Sequence, residues 1–149
     1  MQAYDDRQSK TYIHVYYRGP ACIENGMVVI PCEKGNYNLE ESIFDESLRG
    51  RAIVWAVFDC HRDDIRDGLP ELKLQQRPNM PGAVTYSCEY GQKRKKGIIK
   101  DLSIYLSNRL NKEEDGYFNL NNFLEKMPPN VGYTTSFGAD SDWELDYIV

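Results

Sequence analysis

The sequence predicts an α/β domain built on a mostly parallel sheet with flanking helices, and three observations carry that expectation. Residues 52–58, Ala-Ile-Val-Trp-Ala-Val-Phe, form an unbroken apolar run whose β-branched and aromatic content suits a strand buried on both faces, as in a parallel sheet. That run breaks abruptly into Asp59-Cys60-His61-Arg62-Asp63-Asp64, and in open α/β sheets chemistry collects just beyond the carboxyl ends of such strands. Strand and helix patterns then alternate along the chain: strand, hairpin, helix, strand, loop, strand, helix, helix, strand.

Residues 1–10 are a polar lead-in, and a single domain is expected over 11–149, which suits a chain of 149 residues. Residues 11–17, Thr-Tyr-Ile-His-Val-Tyr-Tyr, read as a strand. It stops at Arg18-Gly19-Pro20, where proline lacks an N–H donor. Asn25-Gly26 is a strong turn signal, and Met27-Val28-Val29-Ile30 follows as a short strand ended by Pro31. Asn38 caps a first helix, with Glu41 three residues on, apolar positions at Leu39, Ile43 and Leu48, and Gly50 as terminator. Residues 65–82, punctuated by Gly68, Pro70, Pro78, Pro81 and Gly82, read as a long irregular loop, of the kind usually functional or mobile. A strand over 83–87 follows. A helix from Ile98 to Asn111 carries Leu102, Tyr105, Leu106 and Leu110 on one side. Asn119 caps a shorter helix carrying Leu120, Phe123, Leu124 and Met127, stopped by Pro128-Pro129. Residues 143–149 alternate enough to form a last strand.

Composition narrows the function classes. Hydrophobic residues at 41% fill one core, and the net charge of −5 argues against wholesale nucleic-acid or membrane binding. No apolar stretch reaches spanning length, and the first residues lack the apolar core of a signal peptide. Cys22, Cys32, Cys60 and Cys88 form no close-spaced pair, so reduced thiols and a cytoplasmic or nuclear setting are expected, with no metal and no cofactor. Cys22, Cys32 and Cys88 read as small buried hydrophobes, and Tyr16, Tyr17 and Trp143 as residues packed on the core.

Four segments together resemble the caspase, metacaspase and paracaspase group of cysteine peptidases. Tyr16-Tyr17-Arg18-Gly19-Pro20-Ala21, followed by Asn25-Gly26 and Val29-Ile30-Pro31, is similar to the family's Tyr-Tyr-x-Gly-His-Gly segment and its hairpin. Val57-Phe58-Asp59-Cys60-His61-Arg62-Asp63 resembles the nucleophile strand, written in many members Leu-Asp-x-Cys-Arg-Asp. Residues 82–92 resemble the following strand, and Tyr133-Thr134-Thr135-Ser136 before a terminal strand resembles the closing section. The resemblance implies a caspase-like sheet lacking the first two strands.

It also implies that the catalytic dyad is gone. The family's general base falls on Pro20, which has no proton-accepting side chain, and its nucleophile falls on His61, with Cys60 in the variable position between. A rival alignment makes Cys60 the nucleophile of a divergent endopeptidase. It gives up the match at Asp59 or at Arg62-Asp63 and still leaves no base at Pro20. On a strand, His61 points away from Cys60. The expected function is therefore a structural or scaffolding subunit of a larger assembly, or a pseudoenzyme regulating an active relative. A protein partner is expected to complete the sheet at the 11–17 edge, where Tyr12, His14 and Tyr16 share a face; the alternative is that the ten-residue lead-in folds back and covers part of that edge. Residues 143–149 are a second expected interface by the resemblance. The basic run Lys93-Arg94-Lys95-Lys96 is a candidate contact for an acidic partner, against the alternative of a solvated loop. Asp59, Asp63 and Asp64 read either as an acidic pocket for a basic side chain or as a locally salt-bridged loop.

Overall fold

In a computed structural model of the chain, residues 11–45, 52–77, 82–111, 117–138 and 146–148 are described. A four-stranded sheet runs in the order β1 (Thr11–Arg18), β4 (Ala52–Asp59), β5 (Gly82–Tyr86), β7 (Thr134–Phe137). The first three strands are parallel and β7 is antiparallel to β5. All eight residues of β4 are buried, as an unbroken apolar strand requires when both faces are covered.

Each face has its own core. On one, Val54, Ala56 and Phe58 of β4 and Val84 and Tyr86 of β5 pack with Ile23, Val28, Phe44 and Leu74. On the other, Trp55, Val57 and Ala83 meet Ile98, Leu102, Tyr105 and Phe123. The first face is covered by the hairpin β2 (Cys22–Glu24) and β3 (Met27–Val29) and by α1 (Leu39–Ile43). Asn25 and Gly26, with φ of 55° and 75°, make the two-residue turn that matches strand twist. The second face is covered by α2 (Ile99–Asn111) and α3 (Leu120–Glu125). β6 (Tyr117–Asn119) pairs with β8 (Asp146–Ile148) in a separate two-stranded sheet.

The first helix is shorter than its sequence pattern predicts. Asn38 Oδ1 accepts from the Glu41 N–H at 2.9 Å, but the helix ends at Ile43, because Phe44 leaves helical backbone and turns into the core. Leu48 and Gly50 lie outside the described residues. Of the 143–149 segment the described part, Asp146–Ile148, is the expected strand but pairs with β6, so among the described residues the main sheet ends at β7. Its short hydroxyl-rich sequence, Thr-Thr-Ser-Phe, lacks the apolar alternation that reveals a strand.

The 65–77 segment is irregular, apart from a 3-10 turn at Leu74–Gln76, but it is tied down along its length. Leu72 N–H donates to Gly26 O at 3.1 Å, Leu74 N–H to Ser136 Oγ at 2.7 Å, and Tyr90 Oη–H to Leu69 O at 2.6 Å. Arg77 pairs with Glu40, a fully buried carboxylate that also accepts from Val28 N–H at 2.8 Å and the Tyr86 hydroxyl at 2.6 Å. That cluster joins helix, hairpin, loop and sheet through one charge, which is the condition for burying a carboxylate.

Candidate functional site at the carboxyl end of β4

The residues where β4 ends point in alternate directions, as strand geometry demands. Cys60 enters the first core at 2% exposure, while His61 is exposed. Burial, reinforced by the neighbouring Cys88 thiol, pushes the Cys60 thiol up to about 12, so it stays neutral at physiological pH. Cys88 is buried beside it and donates to Cys60 O at 3.4 Å. Pro20 is exposed and its carbonyl accepts the Tyr17 hydroxyl at 2.6 Å. The thiol is thus buried and the adjacent imidazole exposed.

Asp59 is the centre of the site. Its carboxylate, 1% exposed, accepts the Tyr16 hydroxyl at 2.7 Å, Arg94 Nη1 at 2.9 Å and the Ile98 N–H at 3.2 Å, one residue ahead of α2. Arg94 Nη1 also reaches Asp59 O at 3.2 Å, and the Arg94 N–H donates to His61 Nδ1 at 2.8 Å. With Nδ1 accepting, the His61 proton sits on Nε2. Burial and the Asp59 carboxylate push the Tyr16 phenol up to about 12. The structure thus joins three residues that the sequence singled out separately, Tyr16, His61 and Arg94, through a fourth. The acidic position that could receive a substrate's basic side chain is filled by the chain's own Arg94.

The rest of the basic run divides by direction. Lys96 pairs with Asp101 at 2.9 Å, whereas Lys93 only approaches Asp63, at 4.0 Å, and Lys95 is exposed. Asp64 pairs with Arg66 at 3.4 Å. Of the three aspartates only Asp64 is bridged locally; Asp59 is held by Arg94 from 35 positions along the chain, and Asp63 lies at the 4.0 Å limit from Lys93. His14 meets the Trp55 ring edge-on at 5.6 Å between centroids, and burial lowers its pKa. Tyr12, His14 and Tyr16 stand opposite Ile53, Trp55 and Val57 in the parallel register. Tyr16 keeps 43% of its surface exposed, so it is not the core residue expected, although Tyr17 packs on the first core. Cys32 is also exposed, contrary to expectation, because it lies in the loop beyond Pro31 after the hairpin has ended. Trp143 is outside the described residues.

Sequence reasoning passed over Arg62 as a structural element. Its guanidinium is buried, stacked 3.6 Å over the Tyr86 ring and 5.3 Å from Tyr90. It donates to Cys88 O at 3.0 Å and pairs with Glu71 at 3.2 Å. An arginine directly after a buried strand and two tyrosines around the next strand's end were the available signal. Beside this stack lies a cavity of about 560 Å³ bordered by Glu71, Tyr86, Glu89, Tyr90 and Thr134. A smaller one of about 130 Å³ lies beside Cys88, Lys93, Lys95 and Val131. Among the described residues no group of three or more His, Cys, Asp or Glu side chains is placed to hold a metal, and no helix is long and apolar enough to cross a membrane.

Comparison of the chain with family models, with curated proteins and with solved structures finds no match in any of the three.

Proposed function

We propose that the chain is a non-catalytic, caspase-like domain that acts by binding protein, as a structural subunit of a larger cytoplasmic assembly. The observation that carries this reading is the state of the β4 terminus: Cys60 is buried with its thiol held neutral, Pro20 offers no base, and Arg94 occupies Asp59. A parallel β1-β4-β5 sheet closed by an antiparallel edge strand, with a hairpin after the first, also supports the resemblance noted from the four sequence segments.

The partner contact is the outer edge of β1. Among the described residues β1 pairs with β4 alone, and on one face His14 and Tyr16 are exposed. A strand supplied by another protein extends the sheet beyond β1 and covers the exposed Tyr16. A photo-crosslinking residue at position 14, tested in the endogenous complex, is expected to capture one partner protein through an extended segment. The same residue at the exposed Ile104 position of α2 is expected not to. Equal capture from both positions, or peptidase turnover that disappears in Cys60→Ala, overturns the proposal.

A further inference from the structure

We infer that the small cavity beside Lys93 and Lys95 is a receptor for a glutamate- or aspartate-bearing protein segment, a second contact independent of the β1 edge.

The four consecutive cations do not share one fate. Arg94 turns inward to Asp59 and Lys96 lies against Asp101, both at 2.9 Å. Their charges are spent on holding the loop against β4 and α2. Lys93 and Lys95, the alternate positions, border the same cavity. Lys93 is 76% exposed at its side chain, and Asp63, its carboxylate contact, is at the 4.0 Å limit of an ion pair. The inward pair thus fixes the backbone that presents the outward pair. Two ammonium groups on a braced loop lose less freedom on binding than two on a mobile one.

The cavity's other borders define the ligand. Its volume of about 130 Å³ suits a single short side chain with its head group. Val131 and Gly132 give its lining an apolar part, and Gln92 adds an amide. An acidic side chain places its methylenes on Val131 and its carboxylate between the ammoniums. Glu89 also borders the cavity and opposes an anion there, which keeps the contact weak and makes its own removal informative. An apolar part of the lining beside two ammonium groups suits a carboxylate carried on methylenes, so the occupant is a protein segment and not RNA.

The test is fluorescence anisotropy on the full chain with a labelled glutamate hexapeptide, a glutamine hexapeptide and a uridine hexanucleotide. The glutamate peptide is expected to bind, with affinity falling as salt rises, and the glutamine peptide not. Lys93→Glu with Lys95→Glu is expected to weaken binding at least about tenfold. Glu89→Gln is expected to strengthen it about twofold to fivefold, and Lys100→Glu, on the exposed start of α2, to change it less than about twofold. Far-ultraviolet circular dichroism checks that the variants are folded. No binding of the glutamate peptide, equal losses in the Lys93/Lys95 and Lys100 variants, or tighter binding of the oligonucleotide each overturns the inference. None of these outcomes bears on β1, whose crosslinking test stands apart.

Discussion

Arg94 Nη1 lies 2.9 Å from Asp59 Oδ1, and the same carboxylate accepts Tyr16 and the N–H just ahead of α2. One buried charge therefore ties the edge strand, the central strand, the basic loop and the helix start together. Asp59→Asn removes the counter-charge while Arg94 still holds about a fifth of its side chain in water. The expected loss is about 2–3 kcal/mol in urea unfolding, discounted from a fully buried pair for that exposure. Tyr16→Phe removes one hydrogen bond from a partly solvated hydroxyl to a buried charge and is expected to lose about 1 kcal/mol. The double variant is expected to lose less than the sum, because both changes act on one carboxylate. Strict additivity disproves the hub.

The buried thiol makes a reactivity prediction and a pH prediction. Iodoacetamide at pH 8 is expected to label Cys32, which is exposed, and to spare Cys22, Cys60 and Cys88 until the chain unfolds. Peptide mass spectrometry reads this directly, and early labelling of Cys60 contradicts the geometry. Among the acids raised in the folded state are Cys60, from 9.0 to about 12, Tyr16, from 10.0 to about 12, and Tyr86, well above 10.0. Each favours folding while neutral, so their contribution is complete below about pH 9 and is lost as pH rises through 12. Melting temperature is expected to fall across that window, less steeply in Cys60→Ala.

How much of this was legible depended on whether burial left a pattern in the sequence. β4 announced itself, since a strand covered on both faces has no room for polar residues, and Ile98, Leu102 and Tyr105 appeared at helical spacing because α2 covers only one face. β7 did not, because Thr134, Thr135 and Ser136 serve the sheet through backbone pairing and hydroxyl contacts such as Thr85 with Thr135. At the site, the resemblance isolated Pro20, Cys60 and His61, but it could not show that Arg94 reaches back 35 positions to Asp59. Long-range ion pairs have no period. Glu40 and Arg62 were invisible for the same reason: each is a charge whose burial is made tolerable by partners far along the chain.

Gly82 opens β5 where the strand passes closest to its neighbour. Its φ is +138°, and a Cβ there would stand 2.1 Å from Val54 O. Gly82→Ala is strained in backbone and blocked by backbone, neither of which a rotamer change relieves. The expected loss exceeds about 3 kcal/mol, sufficient to unfold a marginal domain at 37 °C. Gly35, also at positive φ but with nothing within 4 Å, is the control: Gly35→Ala carries only the conformational cost, about 1 kcal/mol. Equal losses at the two positions contradict the close approach.

Arg62 tests whether the stack or the charge matters. Arg62→Lys keeps the charge but loses the planar contact over Tyr86 and the fork between Cys88 O and Glu71. It is expected to destabilise by about 3 kcal/mol, close to Arg62→Ala. Arg62→Met keeps volume, removes the desolvation cost and leaves Glu71 part-exposed, so its loss is expected to be smaller, about 1–2 kcal/mol. Lysine outperforming methionine in urea titrations shows that charge dominates.

The β1 edge carries no proline and no aspartate, glutamate or lysine between Thr11 and Arg18, the residues that ordinarily guard such edges. Without its partner the chain is expected to self-associate with rising concentration. Thr11→Lys with His14→Lys, both at exposed positions of β1, is expected to suppress that association in sedimentation velocity while leaving the melting temperature within a few degrees. The same pair of changes repels an incoming strand and is expected to abolish co-purification of the partner protein. The two effects are coupled by a single cause. A chain that remains monomeric at high concentration, or a lysine variant that stops associating yet still holds its partner, separates the edge from the binding function and removes β1 as the docking strand.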